Sequence, residues 1–361
     1  MIKTHIKLLA LSLFVCSLTG CSDNGDQPTI KPNDVYLELD IVAPNKMQNI
    51  DPSKKSPTRA YEDKEAGELI KTLRFIIVRP DGTVEHNRLY DFNPIEIESF
   101  EKKFKVVSGE QKRVFAIANE DARYSGGTKV VNYDFDTILP GQQFPMDEFS
   151  NIQIKTSSDT QTLPTPLVMC ISKRFDVPVN SDLAGEIEII PAATKFTFTI
   201  KNNSDVLTQK IKSISINKIA RNEYLWPRTS TGDDVELGLD GNMVEYVVPS
   251  IANNEYYTFT HEFSPSSPIE LAPGGSYTDS SFYLTEGKYT DDGDLRNYSI
   301  TFNYNNGEEI SSTKYFPNLA QLPRNSHVVC NITIGETVDD VAFTIAVLPF
   351  GSVPLNPGFG F

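Results

Sequence analysis

Short stretches in which apolar residues alternate with polar ones, or in which β-branched and aromatic residues cluster, run along almost the whole chain. Residues 75–78, 104–107, 113–117, 195–200, 214–216, 298–302 and 328–334 have this character and predict strands. Turn chemistry separates them: Pro80-Asp81-Gly82, Asn305-Asn306-Gly307 and Pro273-Gly274-Gly275 put residues that tolerate tight backbone conformations where the chain must reverse. Strands at this spacing predict β-sandwiches. Helical periodicity is confined to residues 62–71 and 146–149. Pro178, Asn180, Ser181, Asp182 and Gly185 interrupt the pattern ahead of a strand at 186–190, which predicts a boundary between two folded units, 60–184 and 185–337. No internal sequence repeat is evident.

The two ends of this pattern match each other. Residues 35–42 alternate so that Val35, Leu37, Leu39 and Ile41 share one face, and this strand stands alone between loose stretches at 22–34 and 45–58. Residues 341–348 alternate in the same way, with Val341, Phe343, Ile345 and Val347 on one face and Ala342, Thr344 and Ala346 on the other. The period and the number of anchors are equal, so one segment could replace the other in a sheet. Both could equally be ordinary terminal strands of one subunit, and periodicity alone does not decide. Beyond Pro349 the tail 350–361 is apolar but dominated by Gly and Pro.

The first twenty residues place the chain outside the cytoplasm. Lys3 and Lys7 precede an apolar run at 8–18, and Leu18-Thr19-Gly20-Cys21 is a lipobox, so Cys21 is expected to become the lipidated first residue of an exported lipoprotein. The apolar run is too short for a membrane-spanning helix, which needs about 20 residues. The chain of 361 residues carries a net charge of −15, and loss of the signal with Lys3 and Lys7 leaves −17. Nucleic acid, which requires a basic stripe, is thereby excluded as a partner.

Candidate chemistry is sparse. Cys170 and Cys330 lie in apolar runs and read as buried free thiols or, if they meet, as one disulfide. His86, His261 and His327 are far apart in sequence with no partner at a useful spacing, so no catalytic residue is assigned and the chain does not read as an enzyme. Asp291-Asp292-Gly293-Asp294 lacks the spacing of a calcium loop, and Gly274-Gly275 lacks the lysine of a phosphate loop. No metal or cofactor is expected. The single tryptophan, Trp226, is either a packing residue or a sugar-stacking platform.

Taken in order, several segments resemble the fimbrillin family, the type V pilins exported as lipoproteins. They are the lipobox, Thr58-Arg59-Ala60, residues 71–78, Val114-Phe115-Ala116-Ile117-Ala118-Asn119, residues 193–200 and Leu322-Pro323-Arg324-Asn325-Ser326-His327. The resemblance implies two transthyretin-like β-sandwich domains in tandem, at 60–184 and 185–337, with exchangeable terminal strands. It implies cleavage between Arg59 and Ala60 by an arginine-specific extracellular protease, which removes a lipidated propeptide, 21–59, and its leader strand. A neighbouring subunit's segment 338–361 then fills the groove, giving a homopolymer or mixed fibre that supports adhesion. The implied places are the outer membrane, through lipid, before cleavage and the surface fimbrium after it. A non-polymerising surface lipoprotein that binds glycan or a partner protein is the alternative.

Overall fold

The computed structural model describes residues 34–44, 65–156, 162–229, 236–237, 246–251, 255–263, 268–279, 281–289, 298–305, 309–316, 321–337 and 341–349. The expected sites Cys21, Arg59 and Ala60, the acidic turn 291–294 and the tail 350–361 lie outside them. The described chain is almost all β. Its first part contains β1 (Asp34–Val42), β2 (Thr72–Val78), β3 (Val84–Asp91), β4 (Ser99–Val107), β5 (Gln111–Ala118), β6 (Gln153–Lys155), β7 (Met169–Asp176) and β8 (Leu183–Glu188). Then follow β9 (Thr194–Asn202), β10 (Gln209–Ala220), β11 (Asn222–Tyr224), β12 (Arg228–Thr229), β13 (Glu236–Leu237), β14 (Tyr246–Val247) and β15 (Tyr256–Glu262). The last strands are β16 (Ile269–Leu271), β17 (Ser276–Thr278), β18 (Phe282–Leu284), β19 (Ser299–Asn305), β20 (Glu309–Tyr315), β21 (Ser326–Ile334) and β22 (Val341–Pro349).

These strands form two units with one topology. In the first unit β1 lies between β4, antiparallel, and β8, parallel, and the facing sheet runs β13-β7-β5-β2-β3. In the second, β9 lies between β17 and β18, antiparallel, and β21, parallel, and the facing sheet runs β15-β10-β19-β20. Strand for strand, β9 corresponds to β1, β10 to β2, β19 to β5, β20 to β7 and β21 to β8. The strand β22, added beside β21, has no counterpart in the first unit among the described residues. Each unit encloses its own hydrophobic cluster.

Alternation explains the layers. Leu73, Phe75 and Ile77 of β2 face inward toward the β1 sheet, where Phe75 meets Phe104 at 5.0 Å between ring centroids. The opposite face of β2 and β5 is also buried, because the excursion after β5 folds back over it. There Phe115, Phe144, Phe149 and Trp226 pack together, with Trp226 stacked on Phe149 at 4.8 Å. Trp226 is thus fully buried packing, not a sugar platform. The window at 146–149 is the short helix α1 (Met146–Ser150). In the window at 62–71, the described part forms only a 3-10 turn, Ala66–Glu68. Helix is overridden there because Gly67 O accepts from Leu167 N and Ile70 is bridged to Ile97. Cys170 and Cys330 are buried and form no disulfide; the Cys170 thiol donates to Leu225 O at 2.9 Å, and burial pushes Cys330 up to about 12.

The boundary expected between 184 and 185 falls inside β8. Ile187 of that strand lies opposite Ile41, and Ile189 and Ile190 pack into the first cluster, so the second unit begins at β9. Two buried charged groups join the units. Lys195 on β9 binds Glu65 at 2.7 Å and Glu68, and Tyr283 OH donates to Glu68 at 3.0 Å. Arg324, fully buried, donates to Glu286 and to the carbonyls of Leu225, at 2.6 Å, and Tyr224. Glu223 accepts from the Glu286 backbone N–H at 2.6 Å, and Tyr246 OH donates to the Glu286 carboxylate. On the same segment, β11 pairs with β6 of the first unit.

Burial raises the Glu223 carboxyl well above its ordinary range, the Arg324 charge pulls it back in part, and Glu286 pushes it further up. A carboxyl raised in the folded state contributes stability at low pH and loses it as pH climbs through the folded value. Glu223→Gln, which keeps the shape without the titration, is therefore expected to gain stability over the parent as pH rises from about 5. Thermal unfolding of both proteins across pH 5–9 checks this, since the difference in Tm should widen with pH.

Candidate functional site

A strand enclosed on both edges needs an apolar inner face and complete backbone pairing, and β1 has both. Its nine residues pair antiparallel with β4, from Asp34 opposite Val107 to Val42 opposite Ser99. Residues 37–42 also pair in parallel with β8. Beyond the strand, Ala43 N donates to Glu98 O at 2.8 Å and Ile189 N to Val42 O at 3.0 Å. Before the β8 pairing starts, Tyr36 N is taken up by the Asp182 carboxylate at 2.8 Å.

Val35, Leu37, Leu39 and Ile41 point inward, the first 6% exposed and the other three fully buried. Each such side chain is worth about 1.5–3 kcal/mol gross when taken out of water. Opposite Leu39 on β8 stands Gly185. A Cβ there would sit 2.2 Å from the Phe175 ring, so the close approach of that ring to the β8 backbone requires glycine at 185.

The outer face of the same three strands is charged. Glu38 pairs with Lys103 at 2.7 Å and Asp34 with Lys105 at 2.6 Å. Asp40 instead lies opposite Glu101 on β4 and Glu186 on β8. A hydrogen bond between the carboxyls of Glu38 and Glu101 lowers the first, which Lys103 also holds down, and raises the second. The outer face of β1 is thus held by ion pairs at Asp34 and Glu38, while Asp40, nearer its end, sets acid against acid.

The far strand, β22, pairs antiparallel with β21 over nine positions, from Ser326 opposite Pro349 to Ile334 opposite Val341. Val341 is buried, and Phe343, Ile345 and Val347 are partly buried against the second cluster, while Ala342, Thr344 and Ala346 are exposed. Both expected faces are therefore present. The structure does not bring the two segments together: β1 belongs to the first unit and β22 to an edge of the second, where no strand covers its other side among the described residues.

The residues that surround β1 were not expected from sequence. Lys103 and Lys105 alternate with inward Phe104 and Val106, a signal of a strand face but not of a partner. The histidines serve elsewhere: His86 contacts Lys105 O at 2.7 Å, His261 the Asp279 carboxylate at 2.7 Å and His327 Thr197 Oγ1 at 2.8 Å. Gly274, with φ +72°, sits in the turn between β16 and β17.

No protein-family model matches the chain, and no curated protein matches it by sequence. Solved structures do. A fimbrilin from Porphyromonas gingivalis superposes with a TM-score of 0.53 at 12% identity, covering 90% of this chain and 100% of its own. The tip fimbrial protein from the same organism, with a C-terminal truncation, gives a TM-score of 0.53 at 10% identity, covering 88% of this chain and 100% of its own. With its all-β units, the chain has the fold of these fimbrial proteins.

Proposed function

We propose that this chain is a non-enzymatic structural subunit of a surface pilus, exported as a lipoprotein on Cys21, trimmed after Arg59 and polymerised by strand exchange to support adhesion. The observation that carries this reading is a difference between two equivalent strands. β9 occupies in the second unit the place that β1 occupies in the first, yet only residues 203–208 separate it from β10, whereas residues 43–71 separate β1 from β2. A strand on so short a tether is a fixed part of its sheet. A strand on a long tether that contains Thr58-Arg59-Ala60 can be severed from the rest of its chain by one cut, which makes it replaceable.

The groove that β1 would vacate presents unpaired backbone on β4 and β8 and an apolar floor, a template that must be filled. Residues 341–348 of a neighbour offer four inward anchors at the same spacing, and strand addition supplies the backbone bonds. Subunits of this acidity repel one another, so inserted strands rather than surface attraction would hold the fibre. The alternative is a surface lipoprotein that stays anchored and binds glycan or protein. It is favoured by one feature: β22 already has a partner, β21, in its own chain.

Processing separates the two. Mass spectrometry of surface-sheared material should find an N-terminus at Ala60 in large assemblies, and Arg59→Ala should leave a full-length lipidated monomer without fibres under the electron microscope. An N-terminus at lipidated Cys21 in all surface material would favour the anchored protein.

The donor face has its own test. Because neighbouring side chains on a strand point to opposite faces, a charge at an inward position must be buried unpaired in the groove, while one a residue away stays in water. Phe343→Asp and Ile345→Asp should block assembly of trimmed subunits, and Thr344→Asp should be tolerated. Filament counts after trimming read the outcome, with circular dichroism of each untrimmed variant to verify folding.

A further inference from the structure

The hydrogen bonds that seat β1 and the polar contacts that hold the chain after the tether are separate sets. From Glu65 onward the chain is fastened to other elements: Glu65 to Lys195 at 2.7 Å and to Ser281 at 2.8 Å, and Glu68 to Lys195 and Tyr283. Asn119 adds a clamp, accepting from Lys71 N at 2.8 Å and donating to Leu69 O at 3.0 Å and Leu167 O at 2.8 Å. None of these partners lies on β1. In turn, the hydrogen bonds of β1 run to β4, β8, Asp182, Glu98 and Ile189, while its inward side chains share the first cluster with Ile70, Leu73 and Phe75. A cut between 44 and 65 breaks a covalent link and, among the described residues, no contact.

Breaking the link therefore does not open the groove. The severed strand still has backbone bonds on both edges and three fully buried side chains, with Val35 nearly so. Its weak point is the outer face, where Asp40 meets Glu101 and Glu186. If a second copy's strand enters with its anchors in the same order, Val341 replaces Val35 and Ala346 replaces Asp40, which removes the acid from that position. Thr344 then replaces Glu38, opposite Lys103. Resting on the processing reading above, we infer that the cut leader strand remains seated as a bound segment of the subunit and yields to an incoming strand that carries no acid at the position of Asp40.

The test uses the exported chain without its lipidated cysteine, residues 22–361, with a specific protease site inserted after Ser56, so that it does not depend on Arg59. After cutting, native mass spectrometry and gel filtration should find the leader bound one to one, and prompt loss of the leader on cutting overturns the inference. Leu39→Ala, verified as folded before cutting, should speed loss of the leader by about thirtyfold or more; an unchanged rate would place the leader's hold outside the groove and also overturn it. Excess peptide of residues 341–349 should displace the leader. A peptide with Ala346→Asp should displace it about threefold more slowly, a Thr344→Asp peptide should not be slowed, and Glu101→Gln with Glu186→Gln in the protein should erase the Ala346→Asp penalty. Equal rates for all peptides would refute the role of the acid pair. A leader that stays bound but that no peptide displaces upholds the seated leader, overturns its yielding to an incoming strand and counts against strand exchange itself.

Discussion

A strand bonded along both edges is a different object from a strand bonded along one. β1 closes a sheet between β4 and β8 and lays four aliphatic side chains over the floor of the first unit. The rest of that unit depends on the position being filled, because an empty slot would present two rows of backbone donors and acceptors and an apolar stripe to water. Such a slot can be filled by any segment with the right period. On the reading proposed above, the identity of the central strand becomes a matter of competition rather than of chain continuity.

The second unit shows what the same position looks like without that freedom. β9 has the same neighbours in the same senses, antiparallel on one side and parallel on the other, yet it runs into β10 within six residues. The two units share topology without a sequence repeat because the fold needs burial at alternate positions, which many aliphatic and aromatic residues satisfy. Phe196, Phe198 and Ile200 do for the second core what Leu37, Leu39 and Ile41 do for the first.

The alternating strands, including both terminal ones, were legible in the sequence because one buried and one wet face leave a period of two. β3 was not legible: of Val84–Asp91 only Val84 is buried, and the strand is specified by backbone pairing with β2. The parallel partner of β1 was equally hidden, since pairing Leu37 with Leu183 is a long-range event with no local trace. The polar residues that join the units were concealed for the opposite reason. Glu68, Lys195, Glu223, Glu286 and Arg324 have the composition of a surface and are nearly or fully buried. Burying such groups requires partners from distant segments, and their meeting is a property of the fold, not of any window of sequence.

The Arg324 cluster has a mechanical consequence. A hinge between the two units would have to pull a guanidinium away from Glu286 and from the Tyr224 and Leu225 carbonyls, and it would also have to part β11 from β6. Opening it by a few degrees would strand charge in a dry interior, where no water compensates for the lost bonds. A joint held by these buried bonds is expected to resist bending more than a flexible linker would.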